Sequence, residues 1–281
     1  MKMAEQANGL LLSTMQKFVN HQGKRVAYNV SGDGKPLVLL HGFGFDSGIW
    51  ETMLPRLGTD YKIITPDMPG AGQSDVLDGE PSIEGLADAV AAVIEEECKE
   101  PCAVVGHSMG GYVALALVET HAELVRAFGL FHSHPFADDE ARKSKRDKDY
   151  EFIQRHGSSE YIKAAIPGLF GEPFKSQHPE IVKSLTERNQ SLSADGLVYA
   201  LQAMKNRPDR SNIVSSSTRP FLLISGVEDP VVTMEMTAAI YKMPQYTFGL
   251  FIREAAHMGM VESPEFCAKH LLGWMEIASS R

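Results

Sequence analysis

The sequence predicts an α/β fold: a mostly parallel, doubly wound sheet with one helical cap inserted into it. Short apolar runs alternate with amphipathic helical patterns, and each run ends at a glycine, a proline or a polar turn. Runs that are apolar throughout are typical of parallel strands buried on both faces. Residues 134–216 carry no convincing strand pattern and read as short amphipathic helices. We therefore expect the chain to divide into a first core part (1–133), a helical cap (134–216) and a second core part (217–281).

Apolar patterning gives the individual elements. The strands are predicted at 25–31, 36–40, 61–65, 102–105, 125–131, 221–225 and 246–252, with the first antiparallel to the others. Helices are predicted from Ile83, with Ser82 as N-cap, over 109–118, and from Pro264, with Ser263 as N-cap. The helix over 109–118 is apolar all round, which indicates a helix buried inside the molecule. Within the cap, helices are predicted at 143–155, 160–169, 179–189 and 194–206.

Composition narrows the class of protein. The 281 residues are 43% hydrophobic, which argues against disordered, collagen-like and coiled-coil proteins. The net charge is −9 with the acidic residues spread along the chain, whereas nucleic-acid binding needs a concentrated basic surface. No apolar stretch approaches the ~20 residues of a membrane span, and Leu10-Leu11-Leu12 is too short for a signal-peptide core. Cys98, Cys102 and Cys267 show no metal-ligand or redox spacing. We expect a cytoplasmic monomer or homodimer that binds neither nucleic acid nor membranes.

The strongest motif lies where a strand runs directly into a helix. Gly106-His107-Ser108-Met109-Gly110 fits the pattern G-x-S-x-G, between the strand at 102–105 and the helix at 109–118. A sharp strand-to-helix turn forces its central residue into a strained conformation, and glycines at ±2 allow the close approach. The serine hydroxyl is then exposed beside free N–H groups of the helix N-terminus. The alternative is a glycine-rich turn that only packs a strand against a helix.

Three further segments follow other predicted strands and so reach the same sheet edge. His41-Gly42-Phe43-Gly44 follows the strand at 36–40, and the amides of Phe43 and Met109 could form an oxyanion hole. Asp229 follows the strand at 221–225, and His257 follows the last strand, 28 residues later. Taken singly, these are an ordinary turn, a capping aspartate and a loop histidine. Together with Ser108 they predict a catalytic triad.

The order Ser108, Asp229, His257, with His41-Gly42-Phe43-Gly44 upstream, resembles the α/β-hydrolase superfamily. It is similar to the esterase-like branch with a helical cap inserted after the sixth strand. The segment 67–74 looks like that branch's D-x-P-G-x-G-x-S loop. The resemblance covers nearly the whole chain but says little about residues 134–216. It implies the α/β-hydrolase fold and a Ser-His-Asp triad.

These roles predict a serine hydrolase of a small carboxylic ester or related acyl compound. His257 would take the proton of Ser108, and Asp229 would orient His257. A serine nucleophile disfavours relatives that use an aspartate, the epoxide hydrolases and dehalogenases. A carbon–carbon bond hydrolase on the same triad, an acyl transferase or perhydrolase, and a ligand receptor on a hydrolase scaffold remain alternatives. Cap residues that bind a second carboxylate would favour the carbon–carbon reaction, and the candidates are Arg142, Arg155 and Arg188.

The sequence offers four candidates for the wall of a substrate pocket: Trp50, His107, His132 and Phe136. His107 flanks the nucleophile, and Trp50 follows the predicted oxyanion loop. His132 and His134 could pair on a metal, but no third ligand is evident. We therefore expect no metal and no cofactor, so that side chains and backbone amides must supply the chemistry.

Overall fold

The fold is built on one eight-stranded sheet. The structure, a computed structural model, describes residues 14–280, so that Leu10-Leu11-Leu12 lies outside the described residues. The strands run in the order β1-β2-β4-β3-β5-β6-β7-β8. They are β1 Met15–His21, β2 Lys24–Ser31, β3 Lys35–Leu40, β4 Tyr61–Pro66, β5 Cys102–His107, β6 Val125–Phe131, β7 Phe221–Gly226 and β8 Thr247–Ile252. The pairs β1–β2 and β2–β4 are antiparallel and all others are parallel, which confirms the predicted sheet.

The sequence gives no signal for β1. Its side chains alternate between exposed and half-buried, because this strand lies at the sheet edge. An edge strand needs no continuous apolar run, and the pattern that predicts buried strands misses it.

Helices flank the sheet and also form the segment 134–216 between β6 and β7, which is called the cap below. The α-helices are α1 Leu54–Leu57, α2 Ile83–Glu97, α3 Met109–Thr120, α4 Glu140–His156, α5 Ser158–Ala165, α6 Glu172–Gln177, α7 Pro179–Asn189, α8 Ala194–Asn206, α9 Ser211–Ser215, α10 Met234–Tyr241, α11 Gly259–Glu262 and α12 Pro264–Ser279. Short 3-10 helices occupy Ser47–Trp50, Ala122–Leu124 and Ile166–Leu169. As predicted, α3 is buried along most of its length, and Ser82 caps α2 by accepting from the amide of Gly85. Ser263 precedes α12, but its side chain forms no capping hydrogen bond.

Between β6 and β7 the chain forms six α-helices, and residues 134–216 contain no strand. Two of the predicted helices, α7 and α8, have the predicted ends. The helix predicted at 160–169 is divided, because α5 ends at Ala165 and a 3-10 helix containing Pro167 follows. Proline favours the first turn of a helix, where its missing N–H leaves no bond unmade. The short helices α6 and α9 have too few residues to show a period.

Glu97 ties the C-terminal end of α2 to three strands. Its carboxylate lies 2.8 Å from Lys17 on β1 and 2.7 Å from Lys62 on β4, and it accepts a hydrogen bond from the hydroxyl of Tyr28 on β2. Burial alone would raise the pKa of Glu97, but these three partners lower it to about 2. An acidic residue at this end opposes the helix dipole. The ion pairs on the neighbouring strands offset that repulsion.

The described residues contain no disulfide bond and no membrane-spanning helix. All three cysteines, Cys98, Cys102 and Cys267, are free thiols. Each helix within residues 14–280 is too short or too polar to cross a bilayer.

Candidate active site

Ser108 occupies a strained turn between β5 and α3. Its backbone has φ 51° and ψ −115°, and its amide donates to the carbonyl of Phe131 at 3.0 Å. The tight packing of this turn leaves no room for side chains at the two flanking glycines. A Cβ on Gly106 would collide with the carbonyl of Gly110, and one on Gly110 would collide with the carbonyl of Leu40. The turn therefore exists because both positions lack side chains.

His257 and Asp229 are brought together by neighbouring strands. Asp229 follows β7 and His257 follows β8, and Nδ1 of His257 lies 2.9 Å and 3.0 Å from the two carboxylate oxygens. The amides of Val231 and Val232 donate to Oδ1 of Asp229 at 2.8 and 2.9 Å. Both members of the pair are buried. The aspartate is thus held by backbone donors, and its contact leaves Nε2 of His257 for other chemistry.

A second histidine, His132, contacts the carboxylate of Asp229. It follows β6, has φ 48° and is fully buried. Its Nδ1 lies 2.9 Å from Oδ2 of Asp229, and its Nε2 accepts from the amide of Gly259 at 3.3 Å. The prediction that His132 lines the pocket is therefore not supported, since it lies behind the aspartate. Because β6 and β7 are neighbours in a parallel sheet, the strand order could have placed His132 beside Asp229.

The electrostatics of this cluster favour an ionised aspartate beside a neutral His132. Burial alone would raise the pKa of Asp229, but His257 and His132 hold it well below its usual range. Burial lowers the pKa of His132, and Asp229 only partly offsets this. His132 is therefore neutral. Because an ionised carboxylate can only accept, the 2.9 Å contact with Asp229 requires the ring proton on Nδ1, an atom that the amide of Gly226 also approaches at 3.2 Å.

The ligand atoms of His132, Asp229 and His257 lie within 4.8 Å of one another, close enough to hold a metal ion. Their hydrogen bonds argue against that use. Nε2 of His132 faces the amide of Gly259 at 3.3 Å, and Nδ1 faces both Asp229 at 2.9 Å and the amide of Gly226 at 3.2 Å, so that neither ring nitrogen is free. A metal ligand needs a free lone pair. The cluster is therefore built to hold a carboxylate. His134, the other suggested metal ligand, points elsewhere and contacts Tyr112 and Arg142.

The predicted oxyanion residues, Phe43 and Met109, both lie close to Ser108: Phe43 borders the same cavity, and Met109 follows Ser108 in the chain. Met109 is the first residue of α3, and the first N–H groups of a helix have no partner within it. Phe43 and Met109 border the same small cleft, and Phe43 also borders the main cavity. The loop of Phe43 is anchored by His41, whose Nε2 accepts from the amide of Met68 at 2.9 Å.

The D-x-P-G-x-G-x-S segment buttresses this loop. The carboxylate of Asp67 accepts from the amides of Ser47 and Gln73, each at 2.9 Å. A Cβ on Gly72, which has φ 52°, would collide with that carboxylate. The segment is therefore a hydrogen-bonded support beneath the loop of Phe43.

A cavity of about 450 Å³ lies between the sheet edge and the cap. Ser108, His257 and Phe43 border it from the sheet side. From the cap, apolar side chains and four charged residues of α4 border it: Tyr161, Ile162, Ile166, Leu169, Met204, Arg142, Lys145, Arg146 and Asp149. The wall on the sheet side carries the reactive groups, and the cap supplies both apolar and charged surface.

Of the four predicted pocket residues, His107 borders the cavity. Trp50 is fully buried beneath it, with its ring 5.5 Å from that of Phe131 and 6.5 Å from that of His107. Phe136 stacks on His134 at 5.7 Å and lies outside the cavity lining. Burial holds the pKa of His107 well below its usual range, so its ring is neutral and donates from Nε2 to the carbonyl of His257 at 3.0 Å.

The loop of His257 is also bonded to the cap. The amide of His257 donates to the carbonyl of Leu169 at 3.0 Å. Glu262 accepts from the amide of Gly171 in the cap at 2.8 Å, and from those of Ala256 and Met258 beside His257 at 3.0 Å. Sequence reasoning misses Glu262, because nothing in its neighbourhood marks it as a bridge between distant segments.

The three candidate cap arginines have different surroundings. Arg142 borders the cavity, whereas Arg155 is exposed on the same helix. Arg188 forms ion pairs with Asp46 and Glu51 at 3.3 and 2.9 Å. Arg142 is thus the one of these three that the fold brings to the cavity.

Known proteins provide an independent comparison. A family model described as "Alpha/beta hydrolase family" matches residues 37–270. The chain is 25% identical to the (E)-2-((N-methylformamido)methylene)succinate hydrolase of Acinetobacter baylyi, over 89% of this chain and 93% of that protein. It is 26% identical to the 2-hydroxy-6-oxo-6-(2'-aminophenyl)hexa-2,4-dienoic acid hydrolase of Metapseudomonas resinovorans, over 93% and 91%. The structure of a thermophilic esterase from Thermogutta terrifontis, with malate bound, superimposes with a TM-score of 0.87 at 25% identity, covering 94% of this chain and 98% of that one.

Proposed function

The chain belongs to the alpha/beta hydrolase family and is a hydrolase, and from this premise we propose that it cleaves small carboxylic esters or related acyl compounds through an acyl-enzyme on Ser108. One observation carries the proposal. Ser108 and His257 border one cavity, while Nδ1 of His257 is held 2.9 Å from the buried carboxylate of Asp229. This placement supports the roles of nucleophile for Ser108, base for His257 and orienting acid for Asp229 in acyl transfer.

The first half-reaction acylates the serine. Nε2 of His257 takes the proton of the Ser108 hydroxyl as Oγ bonds to the carbonyl carbon of the substrate. The carbonyl oxygen becomes an oxyanion, which the amides of Phe43 and Met109 stabilise by a few kcal/mol. When this intermediate collapses, the bond to the leaving group breaks, and the imidazolium of His257 returns the proton to that group.

The second half-reaction releases the acid. His257 takes a proton from water, and the resulting hydroxide bonds to the acyl carbon. Collapse breaks the bond to Oγ, which recovers its proton from His257. Throughout, Asp229 stays ionised and stabilises the charged form of the ring.

Carbon–carbon bond hydrolysis on the same triad is a second candidate function. The observation that favours it is Arg142 at the cavity, since that reaction suits a substrate with a separate carboxylate. Two of the similar hydrolases are named for acidic substrates, a substituted succinate and a hexadienoic acid. Comparing turnover of simple esters with turnover of a vinylogous diketone acid separates the two functions.

The test is covalent labelling followed by turnover. A fluorophosphonate probe is expected to label the wild-type protein and not Ser108→Ala, and the variant's kcat for p-nitrophenyl esters is expected to fall by at least about 10⁴-fold. The exposed cap serine in Ser191→Ala serves as the matched control and should label normally. Circular dichroism should be unchanged in both variants. Labelling that survives in Ser108→Ala would contradict the proposal.

A further inference from the structure

Arg142 reaches the active-site cavity without a carboxylate partner. Within residues 14–280, its guanidinium has no carboxylate oxygen within 4.0 Å. It donates instead to neutral acceptors: Nε2 of His134 at 2.7 Å, Sδ of Met236 at 3.1 Å and the carbonyl of Val231 at 3.5 Å. A partly buried charge with only neutral partners is poorly compensated.

The neighbouring charges do not supply the missing anion. The buried carboxylate of Asp138 is shared between Arg146 at 2.6 Å and Arg207 at 2.8 Å. The next pair along α4, Lys145 with Asp149 at 2.8 Å, is one cation with one anion. This side of the cavity therefore carries more positive than negative charge.

The same excess of positive charge acts on the pKa of His134. Burial holds its pKa well below the usual range, and the charges of Arg207, Arg142 and Arg146 lower it further. The ring is neutral, and its Nε2 accepts from the guanidinium of Arg142 at 2.7 Å, with the hydroxyl of Tyr112 3.1 Å from the same atom. His134 thus positions Arg142 without neutralising it.

We propose that Arg142 binds a carboxylate on the substrate, so that the enzyme acts on acyl compounds that carry a second, ionised carboxyl group. The guanidinium fork matches a carboxylate in shape and charge, and a bound carboxylate would offset part of the excess positive charge on this side of the cavity. Ser108 and Arg142 border the same cavity, whose volume of about 450 Å³ exceeds that of a short diacid chain. This inference rests on the proposed acyl-enzyme at Ser108 and adds the substrate class.

The test compares charged and neutral esters of equal chain length. The substrates are the mono-p-nitrophenyl esters of glutarate and adipate, and the p-nitrophenyl esters of pentanoate and hexanoate. For the wild type, kcat/KM is expected to be at least about tenfold higher for the best charged ester than for its neutral counterpart, because a charge-assisted hydrogen bond contributes about that factor. Added salt should reduce this preference.

Arg142→Gln is expected to lower the ratio of charged to neutral kcat/KM by about tenfold or more, mainly through KM. Arg155→Gln, on the exposed side of the same helix, is the matched control and should keep the wild-type ratio. Equal losses on both esters in Arg142→Gln would overturn the inference. So would a wild type that prefers the neutral esters, a result that does not depend on the variant folding.

Fluorophosphonate labelling separates this inference from the function it rests on. A wild-type protein that is labelled at Ser108 but does not distinguish the two kinds of ester refutes the carboxylate site alone. A protein that is not labelled refutes the proposed function.

Discussion

The two walls of the cavity are built by different means. On the sheet side, Ser108, Asp229 and His132 are fixed by strand ends, backbone donors and glycines that leave no room for a side chain. On the cap side, α4 buries only Ile153 and presents charged residues along most of its length. The residues on the sheet side are thus held by the backbone, whereas the cap side presents charged side chains on an ordinary helix.

His132 offers the sharpest test of the sheet side, because it is fully buried and lies outside the cavity lining. We expect His132→Leu to lower kcat by about 10–100-fold, since Asp229 then loses a donor and is held less firmly. The acidic limb of the kcat/KM profile should also move to higher pH, because a carboxylate with one donor fewer stabilises the protonated base more strongly. Full pH profiles on a p-nitrophenyl ester measure both effects.

His132→Asn is the matched control. Asparagine tolerates the positive φ of this position, and its amide nitrogen can replace Nδ1 as a donor to Asp229. It should retain most of the activity and the wild-type pH profile. If the leucine and asparagine variants behave alike, His132 only fills space.

Glu262 joins the cap to the loop of His257, and substituting it should lower kcat less than substituting His132. Glu262→Gln keeps one acceptor oxygen but presents an NH₂ group to an amide donor of Gly171 or of the His257 loop. We expect kcat to fall by about 2–10-fold, with faster hydrogen exchange in the segment that loses its acceptor. Glu228→Gln, exposed in the loop of Asp229, is the control. Exchange that stays at the wild-type rate in both segments would argue against a coupling role.

Glu97 lies far from both walls and should affect stability alone. Its pKa is about 2 in the folded protein and 4.5 ordinarily, so its stabilisation is present above pH 4.5 and is lost as the pH falls toward 2. Glu97→Gln should lower the free energy of unfolding at pH 7 by a few kcal/mol, a difference that shrinks below pH 4.5. Urea unfolding at several pH values measures it, with the exposed Glu95→Gln as control. A difference that persists unchanged at pH 2–3 would contradict this account.

The sequence predicts the sheet side well for a physical reason. Parallel strands end at one edge, so Ser108, Asp229 and His257 can be brought together from strand order and three short motifs. The role of His132 follows from the same logic but needs the neighbouring strands to be known. Helix periodicity predicts the ends of α7 and α8, but it does not say which face of a cap helix meets the cavity. It therefore cannot separate Arg142 from Arg155, which lie on the same helix, α4.

The hydrogen bond between the His257 amide and the carbonyl of Leu169 couples the position of His257 to that of the cap. A cap that swung away from the sheet would break this bond and pull on Glu262, disturbing the base while it exposed the nucleophile. On the proposed mechanism, such an open molecule would be inactive. With His257 displaced, Ser108 could not be acylated, and an acyl-enzyme could not be hydrolysed until the cap closed again.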